Sequence, residues 1–482
     1  MIDGLKPYST YKDSGVEWLG QVPAHWDVRR TKTLFQSRKQ LNSDGSETNV
    51  LSLTLRGVVN NDPGNPEGLV PKDYKTYQIF ERDDLVFKLI DLENVRTSRV
   101  GLVHERGIMS PAYVRVTLSG RGEVRFYYQQ FYDLYQRCIY NQIGDGVRST
   151  IGWSDLGNLR ILAPPLPEQT AIVRFLDYMD RRIRRAIRAR QKRIKLLEEY
   201  KQAIIHEAVT GKIDVRTGKP YPAYKDSGVE WLGQVPEHWE VRRLRTVVEM
   251  RVSNVDKHSR EDEHPVRLCN YMDVYKHEKI RSDMNFMEAT ASRKEIARFR
   301  LQTGDVLITK DSEIWNDIAV PALVETSAPD LISGYHLALL RPKQVVLGAF
   351  LFRAIQNPQI AFQFHVEANG VTRFGLSHSA IKSALAPLPP LPEQTAIVEY
   401  LDDQTVKIGT AISAARREIE LLREYRERLI ADVVTGKVDV REVAAQLPEE
   451  PPEKEEVEVF EEEAALAEAE DEVLSEGSDA EA

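Results

Sequence analysis

Ile408, Ile412, Ala415, Ile419, Leu422, Leu429 and Val433 recur at the alternating four-three spacing of a coiled-coil seam, with Arg426 as the one polar interruption. The positions 225 residues earlier are Ile183, Ile187, Arg190, Ile194, Leu197, Lys201, Ile204 and Ala208, a second stripe of the same kind. Each stripe lies in a segment with few breakers. Pro167 or Pro392 stands in the first turn, a Glu-Gln pair follows it, and Gly211 or Gly436 closes the far end. This pattern predicts two long helices, Pro167 to Thr210 and Pro392 to Gly436. Seams this narrow do not hold a lone helix in water, so the two stripes are expected to bury against each other.

The remaining chain, about residues 24 to 163 and 237 to 388, reads differently. Short apolar runs such as LVFKLI at 85 to 90, YVRVTL at 113 to 118, VLITK at 306 to 310 and HLALLRP at 336 to 342 alternate with Gly, Asp, Asn and Pro, as in strands between turns. FYYQQFYDLYQRC at 126 to 138 and AFLFRAIQ at 349 to 356 are helical. These stretches predict an α+β fold: two globular modules of mixed helix and strand separated by an antiparallel two-helix coiled coil.

The order of parts is repeated. KPYSTYKDSGVEWLGQVPAHWDVRR at 6 to 30 returns at 219 to 243 with 21 of 25 residues identical, and PLPEQTAIVRFLD at 165 to 177 returns as PLPEQTAIVEYLD at 390 to 402. The offsets are 213 and 225, so the second module is 12 residues longer between fixed flanks. An internal pseudo-two-fold follows, with the second helix ending beside the first aromatic box. At about 1.5 Å per residue, roughly 34 residues of helix would set the modules about 50 Å apart, like a ruler.

Charge changes the picture only once it is divided. The 482 residues carry a net −9, yet residues 449 to 482 hold 16 acidic residues and one Lys, leaving the preceding chain at +6. This acidic tail, set from 446 to 482, is expected to be disordered. No apolar run approaches a membrane span and the first residues do not resemble a signal peptide, which predicts a cytoplasmic chain with no membrane partner. Cys138 and Cys269 form no Cys-x-x-Cys pattern, so neither a disulfide framework nor a Cys-based zinc site is expected.

Catalytic signatures are missing. Thr210-Gly211-Lys212-Ile213 lacks the upstream glycine and hydroxyl of a phosphate loop and reads as a helix cap. There is no dinucleotide or S-adenosylmethionine glycine fingerprint and no His-Glu-x-x-His. His25 and His238, equivalent in the two boxes, read as packing residues. Residues 181 to 195, RRIRRAIRARQKRIK, contain nine basic residues and no acid, which suits either a solvated helix face or contact with nucleic-acid phosphate or an acidic partner. Arg148, Ser149 and Thr150 after Gly146, and Thr372 and Arg373 after Gly370, recur shortly before the Pro-Leu-Pro-Glu-Gln motif, as either Gly turns or loops presenting donors to DNA. Lys88 and Lys310 follow matched Asp-Leu-Val and Asp-Val-Leu strands and face either a groove or solvent. These seven residues are the DNA-binding candidates; catalytic, cofactor and metal residues are none.

The doubled order of GVEWLGQVP-x-HW, variable module, PLPEQ, long helix and TGK resembles the specificity subunit of a type I restriction-modification system over about residues 6 to 441. The resemblance implies two target-recognition domains, at 1 to 163 and 213 to 388, joined by conserved spacer helices within 164 to 212 and 389 to 445. It implies a chain that is itself no enzyme and reads an asymmetric, bipartite double-stranded DNA target. It further implies methyltransferase subunits carrying S-adenosylmethionine and a motor-nuclease subunit using ATP and magnesium. Two other functions remain open at this point: an autonomous DNA-binding or architectural protein, and a nuclease with an unrecognised metal site.

Overall fold

The computed structural model describes residues 5–55, 57–62, 73–90, 92, 98–143, 151–257 and 259–448. They form two compact units, one built from the chain up to Arg188 together with the chain from Ile419, the other from Ala189–Glu418.

In the first unit the core is a four-stranded antiparallel sheet in the order Phe35–Gln36, Val114–Leu118, Leu85–Phe87, Val100–Leu102. The helix Val124–Gln136 covers it, since Phe126, Tyr127, Phe131 and Leu134 all fall on its buried side. Phe131 meets Phe87 edge to face at 5.1 Å and Phe35 at 5.8 Å, the arrangement in which positive ring edges approach negative ring faces. Asp84, almost fully buried, is satisfied by Arg115 and by the Thr117 hydroxyl. Strand Asp27–Arg30 pairs with Arg160–Ala163, which delivers the aromatic box to the start of the first long helix.

The second unit repeats this plan with more strands. Its five-stranded sheet runs Val248–Val252, Leu337–Pro342, Val306–Thr309, Pro321–Val324, Lys279–Ile280, and a three-stranded sheet of Met287–Ala291, His264–Cys269 and Leu331–Ser333 is added. Helix Gly348–Ile355 packs on the core with Phe350, Leu351 and Phe352. Asp305 and Arg341 repeat the Asp84–Arg115 pair, at 2.7 Å.

The long helices are Leu166–Val209 and Leu391–Val434, 44 residues each. Ile183, Ile187, Ile204, Ile408, Ile419 and Leu429 are buried, while Ile194, Leu197, Ile412 and Leu422 are half-buried. Within the first unit Asp180 pairs with Arg426 at 2.6 Å and Glu168 approaches Arg441, so partner numbers rise as the first helix is followed backwards. Within the second unit Arg190 pairs with Glu418 at 2.9 Å and Glu198 approaches Arg416. Both helices end in the same cap. Lys212 N–H donates to Glu207 O and Gly211 N–H to Ala208 O, with Gly211 at φ +72°; Lys437, Asp432, Gly436 and Val433 repeat this with Gly436 at φ +75°. Glycine is needed twice over, because a Cβ on Gly211 would lie 2.3 Å from Pro236 and one on Gly436 2.5 Å from Pro23.

The second long helix does not run on to 445. After the cap, Val440 and Ala444 bury into the first unit's core, with helix Arg441–Gln446 between turns. Gln446 and Leu447, assigned by sequence to the acidic tail, belong to this packed segment: Leu447 lies against the core and its carbonyl accepts from Arg174 at 2.6 Å. The acidic tail from 449 lies outside the described residues.

The repeat has a covalent and an open version of one joint. Asp214 N–H donates to Lys219 O across the turn Val215-Arg216-Thr217-Gly218, and Asp439 N–H donates to Lys6 O with no chain between them, both at 2.8 Å. Joining Asp439 to Lys6 through Val-Arg-Thr-Gly, with the new Val in the place of Val440 and the helix Arg441–Gln446 given up, and opening the chain within 215–218 should therefore give a circular permutant that folds. Circular dichroism checks this; an unfolded permutant would show that the two joints are not equivalent.

Candidate nucleic-acid interface

The repeated motifs meet at one buried carboxylate per unit. Glu168, 4% exposed, accepts from the Tyr8 hydroxyl at 2.5 Å and from Trp26 Nε1 at 3.0 Å, with His25 Nε2 2.9 Å away. Glu393 repeats the set with Tyr221 at 3.1 Å, Trp239 Nε1 at 2.9 Å and His238 at 2.7 Å. Burial and the bond to the carboxylate push both tyrosine hydroxyls well above the usual phenol range. Arg441 and Arg216 sit beside these groups, each held cationic by its hydrogen bond to Asp439 or Asp214. His25 and His238 are thus half-exposed polar partners of the carboxylate that also pack against the Tyr8 and Tyr221 rings, each at 5.7 Å between centroids.

The next residue stitches the clamp to its module. Gln169 accepts from Glu123 N–H and donates to Pro164 O and the Tyr127 hydroxyl; Gln394 accepts from Leu347 N–H and donates to Pro389 O and Val345 O. A fully paired buried amide fixes one arrangement, since a lost partner leaves a costly unsatisfied group. The variable modules are therefore seated on a constant frame.

In the second unit, several sequence candidates come together. Asp311–Ser312 pairs with Phe374–Gly375, and Leu376 N–H donates to Lys310 O, so Lys310 lies at the foot of the loop that carries Thr372 and Arg373. Thr372 and Arg373 are exposed, and neighbouring Val371 is 93% exposed. The loop is tight: a Cβ on Gly370 would stand 1.9 Å from Arg373 O. Lys310 Nζ is 3.4 Å from Asp311, which also receives His336 Nδ1 at 2.6 Å. Ile314, Trp315 and Tyr335 add exposed apolar surface nearby in the chain. Cations, hydroxyls and exposed rings on loops above a rigid sheet are the groups that contact phosphates and base edges.

The first unit is described less completely. Arg148, Ser149 and Thr150 lie outside the described residues. Ile151 N–H, which follows them, donates to Leu89 O, the bond that Leu376 makes with Lys310. Likewise Lys88 N–H donates to Arg99 O as Thr309 N–H does to Val320 O. Lys88 is therefore the counterpart of Thr309, and Lys310 of Leu89. The two lysines are not equivalent; a one-residue step along a strand turns a side chain to the other face.

No protein-family model matches the sequence. Among curated proteins, a putative type I restriction enzyme MjaX specificity subunit of Methanocaldococcus jannaschii is 26% identical over 43% of this chain and 48% of its own length. The MjaVIII specificity subunit of the same organism is 22% identical over 59% of this chain and 63% of its own length. The matches thus span about half to three-fifths of those relatives. A chain solved in work on complex assembly and conformational transition of the type I R-M system superposes with a TM-score of 0.63 at 16% identity, covering 86% of this chain and 98% of that one. This chain is similar to type I restriction specificity subunits and shares a fold of that system.

Within this fold, sequence reasoning missed the roles of Glu168 and Glu393. Their signal was present, since a repeated His-Trp pair and a repeated Pro-Leu-Pro-Glu-Gln share a fate in both halves, but nothing local says that they touch across more than 140 residues. It also missed Asp311 and His336, which lack any repeat. Among the described residues no group of three His, Cys, Asp or Glu is placed to hold a metal ion, and no helix is long and apolar enough to cross a membrane.

Proposed function

We propose that the chain is the non-catalytic DNA-specificity subunit of a type I restriction-modification complex. Each unit reads one half of an asymmetric, bipartite duplex target, and methyltransferase subunits dock on the long helices. S-adenosylmethionine belongs to those subunits, and ATP and magnesium to a motor-nuclease subunit. The observation that carries this reading is the doubled frame: one Glu-centred clamp, kept in both copies, seats two modules whose sheets differ in strand number. A frame held constant around divergent loop-bearing sheets suits two readers of different sequence.

Methylome sequencing of cells expressing the chain with its methyltransferase tests it. Methylation should fall at a two-part sequence with a fixed spacer, and the chain alone, given DNA and magnesium, should cut nothing. Cleavage by the pure chain, or methylation unaltered by its removal, would overturn the proposal.

Helix length gives a second test. Arg190 and Glu418 face each other, so insertions after Ala189 and after Glu418 keep that pair together and lengthen both helices without shifting the seam on either side. Seven residues in each add about 10 Å, on the order of three base-pair steps, so the preferred spacer should lengthen by about two to three base pairs with both half-sites unchanged. An active variant with the parental spacer would count against the helices setting it.

A further inference from the structure

We infer that the first unit carries an open site for an imidazole group, a place that the second unit fills with its own His206. In the second unit Asn357 Nδ2–H donates to His206 Nδ1 at 3.1 Å, and burial holds that histidine below its usual range, so its ring is neutral near pH 7. The matching pair in the first unit is Asp133 and Ala431. Asp133 and Asn357 each stand ten residues past the backbone N–H held by Gln169 or Gln394, and Ala431 lies 225 positions after His206. The helix end itself is unchanged, since Thr210 and Thr435 each return their N–H and hydroxyl to the carbonyl of His206 or Ala431. Without the ring there is a hollow of about 670 Å³, walled by Tyr11, Trp18 and Leu19, with Asp133 and Ala431 in its lining.

Two polar groups in that lining identify what fits it. Asp133 is 5% exposed and burial lifts its carboxyl above the usual range, yet its one side-chain partner among the described residues is Arg137, 3.4 Å from Oδ2. Arg137 directs its other nitrogen to Trp18 O. The indole N–H of Trp18 is buried and meets no acceptor among the described residues. A carboxylate and an indole N–H taken out of water each need a partner, the first a donor and the second an acceptor. A neutral imidazole supplies both from one ring, its N–H to Asp133 and its bare nitrogen to Trp18. Asn357 can donate to the ring of His206, whereas an ionised Asp133 only accepts, so its ring has to bring the N–H. A guanidinium would satisfy Asp133 alone, because it has no acceptor for Trp18. Lys437, also in the lining, is taken up by Asp432 at 3.1 Å.

The full chain with 15N-labelled tryptophan tests this by NMR. At pH 8, where imidazole is mostly neutral, titration with imidazole should shift the Trp18 indole N–H signal saturably in the millimolar range. 1-Methylimidazole, which keeps the bare nitrogen but has no N–H, should bind at least fivefold more weakly. The double variant Asp133→Asn, Ala431→His copies the second unit's pair and should give no shift, while unmoved indole signals of Trp26 and Trp153 in the same unit show that it folds. No saturable shift in the parent, equal binding of 1-methylimidazole, or an undiminished shift in the double variant would overturn the inference. The ring can come from a free compound or from a partner protein's histidine, and adding methyltransferase subunits separates the two. Assembly that shifts Trp18 and blocks the probe assigns a partner's histidine; assembly that leaves the titration unchanged assigns a free imidazole compound. Only this last arm rests on the specificity-subunit reading, so failure of the titration leaves that reading standing, and failure of methylome targeting leaves the titration standing.

Discussion

Replacing Glu393 with alanine should destabilise the second unit by about 3–5 kcal/mol, the range for removing one side of a buried charged network. The carboxylate is almost fully buried and serves three partners; without it Trp239 Nε1, on a side chain with no exposure, loses its acceptor. Each buried group left unpaired costs about 1–3 kcal/mol, which accounts for the total. Glu393→Gln keeps an acceptor oxygen and should recover a substantial part. Urea unfolding monitored by tryptophan fluorescence reads both changes. If the alanine variant unfolds within about 0.5 kcal/mol of the parent, a typical surface-substitution effect, the carboxylate does not hold the clamp. On the proposed function, only the half-site read by the second unit should weaken.

On the proposed function, exchanging the module between Thr31 and Leu159 for the matching one of a type I specificity subunit should replace one half-site completely and leave the other half-site intact. The cut points are set by the frame. Thr31 N–H donates to Leu159 O at 2.9 Å, just inside the paired strands Asp27–Arg30 and Arg160–Ala163, so the graft enters and leaves at one closed position. Gln169 must still find its partners, which makes the residues matching Glu123 N–H and the Tyr127 hydroxyl the ones to retain. Sequencing of methylated sites gives the answer directly. A graft that changes both half-sites would mean that the two units do not read independently.

The long helices were legible because their signal is dense: a stripe repeated every three or four residues over 44 positions, a proline at one end and a glycine at the other. The paired joints were legible for a related reason, since duplicated text implies duplicated geometry. Sheet order was not. The strands here are two to six residues long, too short for a two-residue period to stand out, and their partners come from far along the chain, as Val114–Leu118 pairs with both Phe35–Gln36 and Leu85–Phe87. The mismatch of Lys88 with Lys310 shows the limit plainly. Similar tripeptides before them suggested equivalence, and only the hydrogen bonds of Leu89 and Lys310 fix the register. At the candidate interface, Thr372 and Arg373 could be singled out because a glycine marks a turn, whereas His336 reaches Asp311 across 25 residues without any sequence mark.

The open joint between Lys6 and Asp439 also orders events during synthesis. The second unit is one continuous stretch, so every residue it needs has been made once Glu418 is added. The first unit, although it begins the chain, keeps Leu429, Val433, Val434, Val440 and Ala444 in its core beside Tyr8 and Trp26. Its earliest residues must wait for some of the last. A domain folding as it emerges completes only when its whole core has been translated, so the second unit finishes before the first, and the N-terminal module spends most of translation with an apolar face uncovered.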